Sequence, residues 1–418
     1  RPNRMTPLPD RPLHGWSCFE IAAAVRGGEV TAEEVVEHHL RRIEERADLN
    51  VFITVCAEEA LHDARTLPRH RREGLLAGVP FGPKDLFDTA GIRTTAGSAH
   101  FKDHVPATSA VAVQRLVDQG AIIVGKTNLS EFAWGVTTQN AHYGSCQNPR
   151  HPGRIAGGSS GGSAAGLAAG LFAITLGTDT GGSIRIPAAA CGVSGWKGPW
   201  GQVPDDGCFP LIPQMDHVGP MARTMAETML ALEALGVMER PAPRLTGLRI
   251  GVLHPTPAAE AMAALGNEVV AAELPNYDAL FPLFVSWAAD THRELIETRW
   301  DEYSPDLQRK LTLGREMPAV AYLQAERDMA AYRFRCEREL SHDILINPTI
   351  PVPLPSVEEP ETFELRLAMT PYTRAFNHLG WPSCTTRDGL MITGRDAATV
   401  MAAALAWEET IETPAVTC

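Results

Sequence analysis

Apolar and polar residues recur along this chain with two different periods, which predict helices that alternate with strands. Apolar positions three or four residues apart predict helices at 35–47, 109–120, 326–340 and 396–411, with a further helix between 253 and 268. Short runs rich in β-branched and apolar residues predict strands at 51–56, 121–125, 171–177, 248–253, 268–274, 343–349 and 389–394. Thr31 and Glu34 have the spacing of a capping box, which sets the start of the first helix.

Strands that alternate with helices are typical of an α/β fold. We therefore expect one large mixed, mostly parallel β-sheet whose two faces are covered by helices. Two irregular segments rich in Gly and Pro, 198–220 and 348–362, are neither long nor polar enough to separate domains. Residues 1–418 are accordingly predicted to form a single domain.

Composition and charge argue against several classes of function. The chain has 37 Lys and Arg against 50 Asp and Glu, a net charge of −13, which disfavours a nucleic-acid-binding surface. The eight cysteines include no C-x-x-C pair, so they are interpreted as reduced thiols of a cytoplasmic protein. The 14 histidines include no H-E-x-x-H motif, and no metal site is expected. The most apolar run, 164–177, is too short to span a membrane, and the first residues lack the apolar segment of a signal peptide.

The segment 157–166, GGSSGGSAAG, has the composition of a flexible linker. An apolar run with helical and then strand-like spacing follows it directly, which argues against a linker. Ser159 and Ser160 each also match the G-x-S-x-G motif of a nucleophile elbow. That motif requires a buried strand just before it, whereas the preceding residues, NPRHPGRIA, are typical of a loop. Both interpretations stay open here, although neither is favoured.

A second Gly/Ser segment follows the predicted strand 171–177 and leads into a short helix. Glycines and a helix start leave backbone donors free to converge on one point. We therefore predict an oxyanion hole formed by the N–H groups of Thr180, Gly181, Gly182 and Ser183. The Ser183 hydroxyl beside this hole has the position of a nucleophile.

Lys84 is the candidate base. It lies in GVPFGPKDLFDTAG (78–91), an apolar segment that contains two prolines. A lysine in such surroundings is expected to be partly desolvated, with a lowered pKa. A neutral lysine can accept a proton from a serine.

Together these segments closely resemble the amidase signature family of serine hydrolases. The resemblance is carried by GVPFGPKDLFDTAGIRTTAGS (78–98), GRIAGGSSGGSAAGLAAG (153–170), LGTDTGGSIRIPAAACGVSGWKG (176–198) and MDHVGPMARTM (215–225). It is dense from about residue 75 to 236 and looser elsewhere. A long Gly/Ser signature with a lysine upstream is far more specific than one G-x-S-x-G motif. The resemblance also implies the amidase signature fold.

The resemblance implies a role for each matching residue. Ser183 would be the nucleophile, Lys84 the base, and Ser159, with a cis peptide bond, the serine that bridges them. Four flanking residues are interpreted as support, by hydrogen bonding or by shaping the turn: Ser160, Thr178, Asp179 and Arg185. No metal, nucleotide or organic cofactor is implied.

The family implies a hydrolase that cleaves the C–N bond of a small-molecule amide or carbamate (urethane) through an acyl-enzyme. It also includes biuret- and allophanate-type urea hydrolases and amidotransferase subunits of the A type, and both stay as alternatives. An amidotransferase subunit should face RNA with a basic surface, which the net charge disfavours. A catalytically silent binding protein and an esterase that uses Ser159 or Ser160 are weaker alternatives. Helix patches such as 31–47 could pair two copies in a homodimer.

Substrate recognition is where the chain departs from the family pattern. Trp200 and Gln202 stand where members commonly have a tyrosine and an arginine, so Gln202 is a candidate substrate contact. Other residues could line an apolar acyl pocket or equally belong to the core: Phe132, Trp134, Phe209, Leu211, Ile212 and Met215. No arginine stands out as a ligand for a carboxylate. We therefore expect a neutral, aryl amide or carbamate rather than a carboxylated urea.

Overall fold

A mixed β-sheet of ten strands forms the centre of the structure, a computed structural model that describes residues 9–411. Two further pairs of short strands lie beside it within the same residues. Numbered along the chain, the strands are β1 (Phe52–Val55), β2 (Pro80–Phe81), β3 (Ile122–Ile123), β4 (Gly125–Thr127), β5 (Gln139–Asn140), β6 (Gly144–Ser145), β7 (Ile174–Asp179), β8 (Ser194–Lys197), β9 (His217–Ala222), β10 (Arg249–Val252), β11 (Glu268–Ala271), β12 (Ile344–Pro348), β13 (Ser383–Thr385) and β14 (Leu390–Thr393).

The strand order in the large sheet is β11-β10-β12-β14-β13-β8-β9-β7-β2-β3. Parallel pairs lie at its two ends, where β10 joins β11 and β12, and where β2 joins β7 and β3. The central pairs, from β12 across to β7, are antiparallel. The predicted α/β class with one large mixed sheet is therefore confirmed.

Helices surround this sheet. None of those between residues 9 and 411 combines the length and the apolar character needed to cross a membrane. In chain order the α-helices are α1 (Cys18–Gly27), α2 (Ala32–Glu45), α3 (Ala57–Arg65), α4 (Arg69–Arg72), α5 (Val111–Asp118), α6 (Gly161–Ala168), α7 (Arg185–Cys191), α8 (Met225–Ala234), α9 (Pro257–Ala264), α10 (Phe281–Thr291), α11 (Arg293–Thr298), α12 (Pro305–Arg315), α13 (Ala319–Glu339), α14 (Phe363–Met369), α15 (Thr373–Leu379) and α16 (Ala397–Glu409).

The middle of the sheet is covered on both faces. Every residue of β7, β8, β9 and β14 is buried. Successive side chains of a strand point to opposite sides, so complete burial requires packing against both faces of the sheet. Helices α6, α7, α8 and α16 contact these strands. The carboxyl end of β7, which leads to Ser183, therefore lies inside the molecule.

Predicted elements are present with shifted ends. The helix predicted at 35–47 is α2, and its capping box between Thr31 and Glu34 closes as expected. The strand predicted at 171–177 begins only at Ile174, because the N–H of Leu171 still bonds to the carbonyl of Gly166 in α6. The strand predicted at 121–125 is divided. Its first part, β3, joins the large sheet, and β4 pairs with β1 instead.

Candidate active site

The Gly/Ser segment 157–166 is buried along its whole length and leads into α6. The peptide bond between Gly158 and Ser159 is cis. A Cβ on Gly162 would lie 2.5 Å from the backbone nitrogen of Asn128, so the two chain segments approach too closely for any other residue. The segment is packed structure, and the linker interpretation is wrong.

Lys84 follows β2 and is completely buried. Its Nζ lies 2.7 Å from Oγ of Ser159 and 2.8 Å from Oγ1 of Thr178. Burial removes the ammonium from water and lowers the pKa of Lys84 from 10.5 to about 7, against a smaller opposing effect of nearby acidic groups. Near neutral pH much of this lysine is therefore an uncharged amine, which can accept a proton from Ser159.

The loop between β7 and α7 carries Ser183, whose exposed fraction is 7%. The carbonyl oxygen of Ser183 accepts a hydrogen bond from the N–H of Ser160 at 3.3 Å. Oγ of Ser160 donates to the carbonyl oxygen of Thr178, also at 3.3 Å. These bonds hold the Gly/Ser segment, and with it Ser159, against the loop that carries Ser183.

Asp179 and Arg185 form a fully buried ion pair at the start of this loop. Nη2 and Nε of Arg185 donate to the Asp179 carboxylate at 2.8 and 3.0 Å. Burial by itself would raise the pKa of Asp179, but the charge and hydrogen bonds of Arg185 hold that pKa below its ordinary range. The pair fixes the geometry of the loop.

The predicted oxyanion hole needs one correction. The N–H of Gly182 donates to Oδ1 of Asp179 at 2.8 Å, so it is not available to a substrate oxygen. A Cβ on Gly182, where φ is +131°, would also lie 2.6 Å from Oγ1 of Thr373. This glycine is thus required for the shape of the loop. Within residues 9–411 no acceptor is found for the N–H groups of the other predicted donors, Thr180, Gly181 and Ser183.

Ser183 opens onto a cavity, and Thr180 and Gly181 reach the same cavity. Much of its wall is apolar, with side chains that include Trp134, Leu211, Phe281, Phe284, Leu313 and Phe363. Three cationic side chains complete the wall: Lys310, Arg366 and Arg374. A hydroxyl, free backbone donors and a largely apolar wall together suit a substrate with a reactive carbonyl group.

The nucleophile-elbow interpretation of Ser159 and Ser160 does not fit the backbone. An elbow is a sharp turn from a strand into a helix. Residues 146–160 form a loop instead. Neither serine lines the cavity onto which Ser183 opens.

Of the residues predicted to form an acyl pocket, Trp134 and Leu211 line the cavity at Ser183. Ile212 and Met215 follow Leu211 in the chain, but they are core residues with 0% and 1% exposure. Oδ2 of Asp216 accepts hydrogen bonds from the N–H groups of Leu211 and Ile212 and ties this turn to the core. The prediction is therefore wrong for Ile212 and Met215.

Phe132 and Phe209 do not reach the cavity at Ser183 either. Phe132 has no exposed surface, and its ring centroid lies 4.9 Å from that of Phe209 and 4.7 Å from that of His292. Phe209 lines an adjoining cavity, which shares Ala133, Thr180 and Leu211 with the cavity at Ser183. Phe132 is therefore a packing residue and not a substrate contact, whereas Phe209 stays a predicted contact beside the cavity at Ser183.

Gln202 makes a structural contact in place of the predicted substrate contact. Its Oε1 accepts a hydrogen bond from Nε1 of Trp196 at 2.8 Å, and Gln202 lies outside the cavity at Ser183. Trp200 lies 5.1 Å from the guanidinium of Arg333 and is likewise outside that cavity. Neither of these two positions therefore contributes to the wall of the cavity at Ser183.

Two arginines that did not stand out in the sequence, Arg366 and Arg374, line the cavity. They lie on α14 and α15, far from the Gly/Ser segments in sequence. Thr373, next to Arg374, bonds to Gly181 across a separation of 192 residues. No local motif marks these arginines, and only the fold brings them to the Ser183 loop.

Known proteins resemble this chain over most of its length. The family model described as Amidase matches residues 34–245, about half of the chain. The protein AtzE of Pseudomonas sp. strain ADP, which belongs to a 1-carboxybiuret hydrolase, is 36% identical over 379 residues, which cover 81% of this chain and 82% of that protein. The A-type subunit of the glutamyl-tRNA(Gln) amidotransferase of Nitrosococcus oceani is 31% identical over 404 residues, which cover 82% of this chain and 84% of that protein.

Solved structures of the same kind of protein also resemble this chain. A crystal structure of an amidase matches with a TM-score of 0.86 and 30% sequence identity, over 95% of this chain and 100% of that chain. The match therefore extends well beyond the Gly/Ser segments to the whole fold. By sequence and by structure, the chain belongs to the amidase family, the hydrolases that carry the amidase signature.

Proposed function

We propose that the chain hydrolyses the C–N bond of a linear amide or carbamate through an acyl-enzyme on Ser183. Membership of the amidase family makes it a hydrolase that acts on C–N bonds. The observation that supports the finer proposal is the buried contact of 2.7 Å between Nζ of Lys84 and Oγ of Ser159, next to the loop that carries Ser183.

The proposed reaction begins with attack of the Ser183 hydroxyl on the carbonyl carbon of the substrate. Ser159 takes the proton of Ser183 and passes its own proton to the neutral amine of Lys84. The free N–H groups of the loop stabilise the oxyanion that forms. The relay then runs in reverse to protonate the leaving nitrogen, and water cleaves the acyl-enzyme by the same route.

The protonation state of Lys84 is central to this mechanism. Only the uncharged amine can accept the proton, and burial lowers its pKa to about 7. The hydroxyl of Thr178, 2.8 Å from Nζ, holds the amine in place beside Ser159. Every proposed step uses only groups of this chain, the substrate and water.

A panel of chromogenic substrates tests the proposal. It contains a 4-nitroanilide, the matched 4-nitrophenyl ester and an aryl carbamate, assayed with EDTA and without ATP. We expect turnover that Ser183→Ala abolishes and that Ser341→Ala, at an exposed serine, leaves intact. Turnover that survives Ser183→Ala but is lost in Ser159→Ala or Ser160→Ala would favour an esterase of the elbow type.

A partner-dependent enzyme is the second candidate. Two of the similar proteins are named as subunits, one of an amidotransferase and one of a 1-carboxybiuret hydrolase. The net charge of −13 disfavours contact with tRNA. A purified, folded chain without activity on the whole panel, which gains activity with a co-purifying protein or ATP, would favour this candidate.

Domain organisation, location and assembly stay predictions. We propose a single domain over residues 1–418 and a cytoplasmic enzyme, in which the cysteines stay reduced. We also propose a homodimer, for which helix patches such as 31–47 are candidate contact surfaces. Light scattering coupled to size-exclusion chromatography measures the oligomeric state directly.

A further inference from the structure

Arg374 differs from the other two cations of the cavity wall in its surroundings. Nζ of Lys310 lies 2.6 Å from Oδ2 of Asp306, and Nε of Arg366 lies 3.4 Å from Oε1 of Glu361. For Arg374 the described part of the chain, residues 9–411, offers no such carboxylate. Among the charged groups of this wall, Arg374 is therefore the one whose partner a ligand can supply.

The surroundings of Arg374 make an unpaired charge there unfavourable. Its guanidinium carbon lies 5.2 Å from the ring centroid of Tyr277 and 5.9 Å from that of Phe284. Aromatic faces stabilise a cation modestly, and the neutral hydroxyl of Tyr277, which shares a hydrogen bond with Arg374, leaves most of the five guanidinium donors for another acceptor. A half-buried guanidinium in a largely apolar cavity therefore gains most from an anion that enters with the substrate.

The fold holds Arg374 at a fixed place beside the reaction centre. Oγ1 of Thr373 donates to the carbonyl of Gly181 at 2.7 Å, and Nδ2 of Asn377 donates to the carbonyl of Asp179 at 2.9 Å. These two bonds tie α15 to the Ser183 loop on either side of Arg374. A Cβ on Gly181 would lie 3.7 Å from Cγ of Arg374, so the stem of the arginine packs directly against the loop.

We propose that Arg374 binds a carboxylate of the substrate, and that the natural substrates are amides or carbamates with an acidic group a few bonds from the scissile carbonyl. The planar guanidinium can hold a carboxylate through two parallel hydrogen bonds. This inference rests on the proposed function of Ser183. It replaces the neutral substrate expected from the sequence.

The mouth of the cavity indicates the character of the rest of the substrate. Leu313, Phe363 and Leu367 line the cavity and are 48%, 41% and 37% exposed. An aryl or alkyl group would cover this apolar rim, with its acidic end inside. Anilides that carry a carboxylate are therefore suitable probes.

The kinetic test uses pairs of substrates that differ only in charge. The first pair is the mono-4-nitroanilide of succinic acid and its neutral primary amide, with the carboxylate on the acyl side. The second pair is N-acetyl-4-aminobenzoate and N-acetyl-4-aminobenzamide, with the carboxylate on the leaving side. We expect the wild type to prefer the acid of at least one pair by about tenfold or more in kcat/KM.

Three variants then test whether Arg374 causes this preference for the acidic substrates. Arg374→Gln should abolish the preference. Arg374→Lys should retain part of it, because lysine keeps the positive charge but cannot form two parallel hydrogen bonds to a carboxylate. Arg293→Gln, at an exposed arginine of α11, is the matched control and should keep the full preference. A wild-type preference for the neutral members, or one unchanged by Arg374→Gln, would overturn the assignment.

A binding measurement separates this inference from the proposed chemistry. Calorimetry of Ser183→Ala with each substrate needs no turnover, so it remains informative if Ser183 is not the nucleophile. We expect tighter binding of an acid than of its amide, lost in Ser183→Ala/Arg374→Gln, with thermal unfolding as a check of folding. Equal binding of acid and amide, or no binding of either, would contradict the role of Arg374 and leave that of Ser183 to the kinetic test.

Discussion

Nζ of Lys84 and Oγ of Ser159 lie 2.7 Å apart, and neither residue has any exposed surface. Ser183, on the loop bonded to Ser160, instead reaches the cavity wall. The proposed relay thus has one end at the substrate and the other end sealed from water. Such a closed pair can hold the proton between the attack of Ser183 and the departure of the leaving nitrogen without losing it to solvent.

The rate should depend on pH through Lys84. Burial lowers its pKa to about 7, and only the uncharged amine is active. We expect kcat/KM to be constant above about pH 8 and to fall up to tenfold per unit below about pH 6. A pH–rate profile with a neutral 4-nitroanilide measures this. A flat profile from about pH 9 to about pH 5 would exclude Lys84 as the base.

Stability should also depend on pH through the same residue. The unfolded chain keeps the Lys84 proton up to the ordinary pKa of 10.5, whereas the folded chain releases it near 7. Between these values the unfolded state binds more protons, so the free energy of unfolding rises with pH, by up to about 1.4 kcal/mol per unit.

Urea unfolding at several pH values measures this slope. Lys84→Met should flatten it, whereas Lys102→Met, at an exposed lysine, is the matched control. Identical slopes in the wild type and Lys84→Met would mean that the folded protein keeps this proton.

Asp179→Asn should destabilise the protein strongly. The change leaves the buried guanidinium of Arg185 without its carboxylate, which typically costs about 3–5 kcal/mol. Activity should fall as well, because Asp179 also holds the N–H of Gly182 in the loop. The control is Asp290→Asn in the exposed pair with Arg293, where about 1 kcal/mol or less is expected. Equal losses of unfolding free energy in the two variants would contradict a structural role for the buried pair.

Gly162→Ala should destabilise the protein although the change adds one methyl group. Its Cβ would lie 2.5 Å from the backbone nitrogen of Asn128 and 2.6 Å from the carbonyl oxygen of Val51, and neither atom can move alone. Overpacking of this kind costs about 1–3 kcal/mol. Gly27→Ala in α1, where the nearest atom would be 3.5 Å away, should be neutral or slightly stabilising. Thermal unfolding that is the same for both variants would revive the linker interpretation.

The sequence was sufficient where local patterns carry the structure. The capping box of α2 depends on residues three apart, and the glycines near Ser159 and Ser183 belong to compact motifs. Alternating helices and strands likewise predicted the α/β class. In each case the interactions that decide the structure lie within a few residues or within one motif.

Long-range pairing could not be predicted in the same way. The antiparallel centre of the sheet joins β7 to β9 and β8 to β13 across long stretches of chain, and periodicity carries no information on strand order. Arg374 reaches the cavity only because α15 bonds to the Ser183 loop. Phe132 and Ile212 are apolar whether they line a pocket or fill the core, so composition alone could not separate the two.

The oxyanion hole shows another feature that could not be predicted from the sequence alone. Glycines at 181 and 182 predict free backbone donors equally well. The carboxylate of Asp179 turns back to accept the N–H of Gly182, which removes one donor. A side chain that bonds to nearby backbone is a local effect, but its direction depends on Arg185 and Asn377, which also bond to it.

The central claim is that Ser183 becomes acylated, and it can be tested by mass spectrometry. The protein is mixed with a 4-nitrophenyl ester, quenched in acid within the first turnovers, digested and mapped. We predict an acyl adduct on the peptide that contains Ser183, absent in Ser183→Ala and accumulating in Lys84→Met if deacylation is slowed more than acylation. An adduct on Ser159 or Ser160, or turnover of the ester with no adduct on Ser183, would contradict the account.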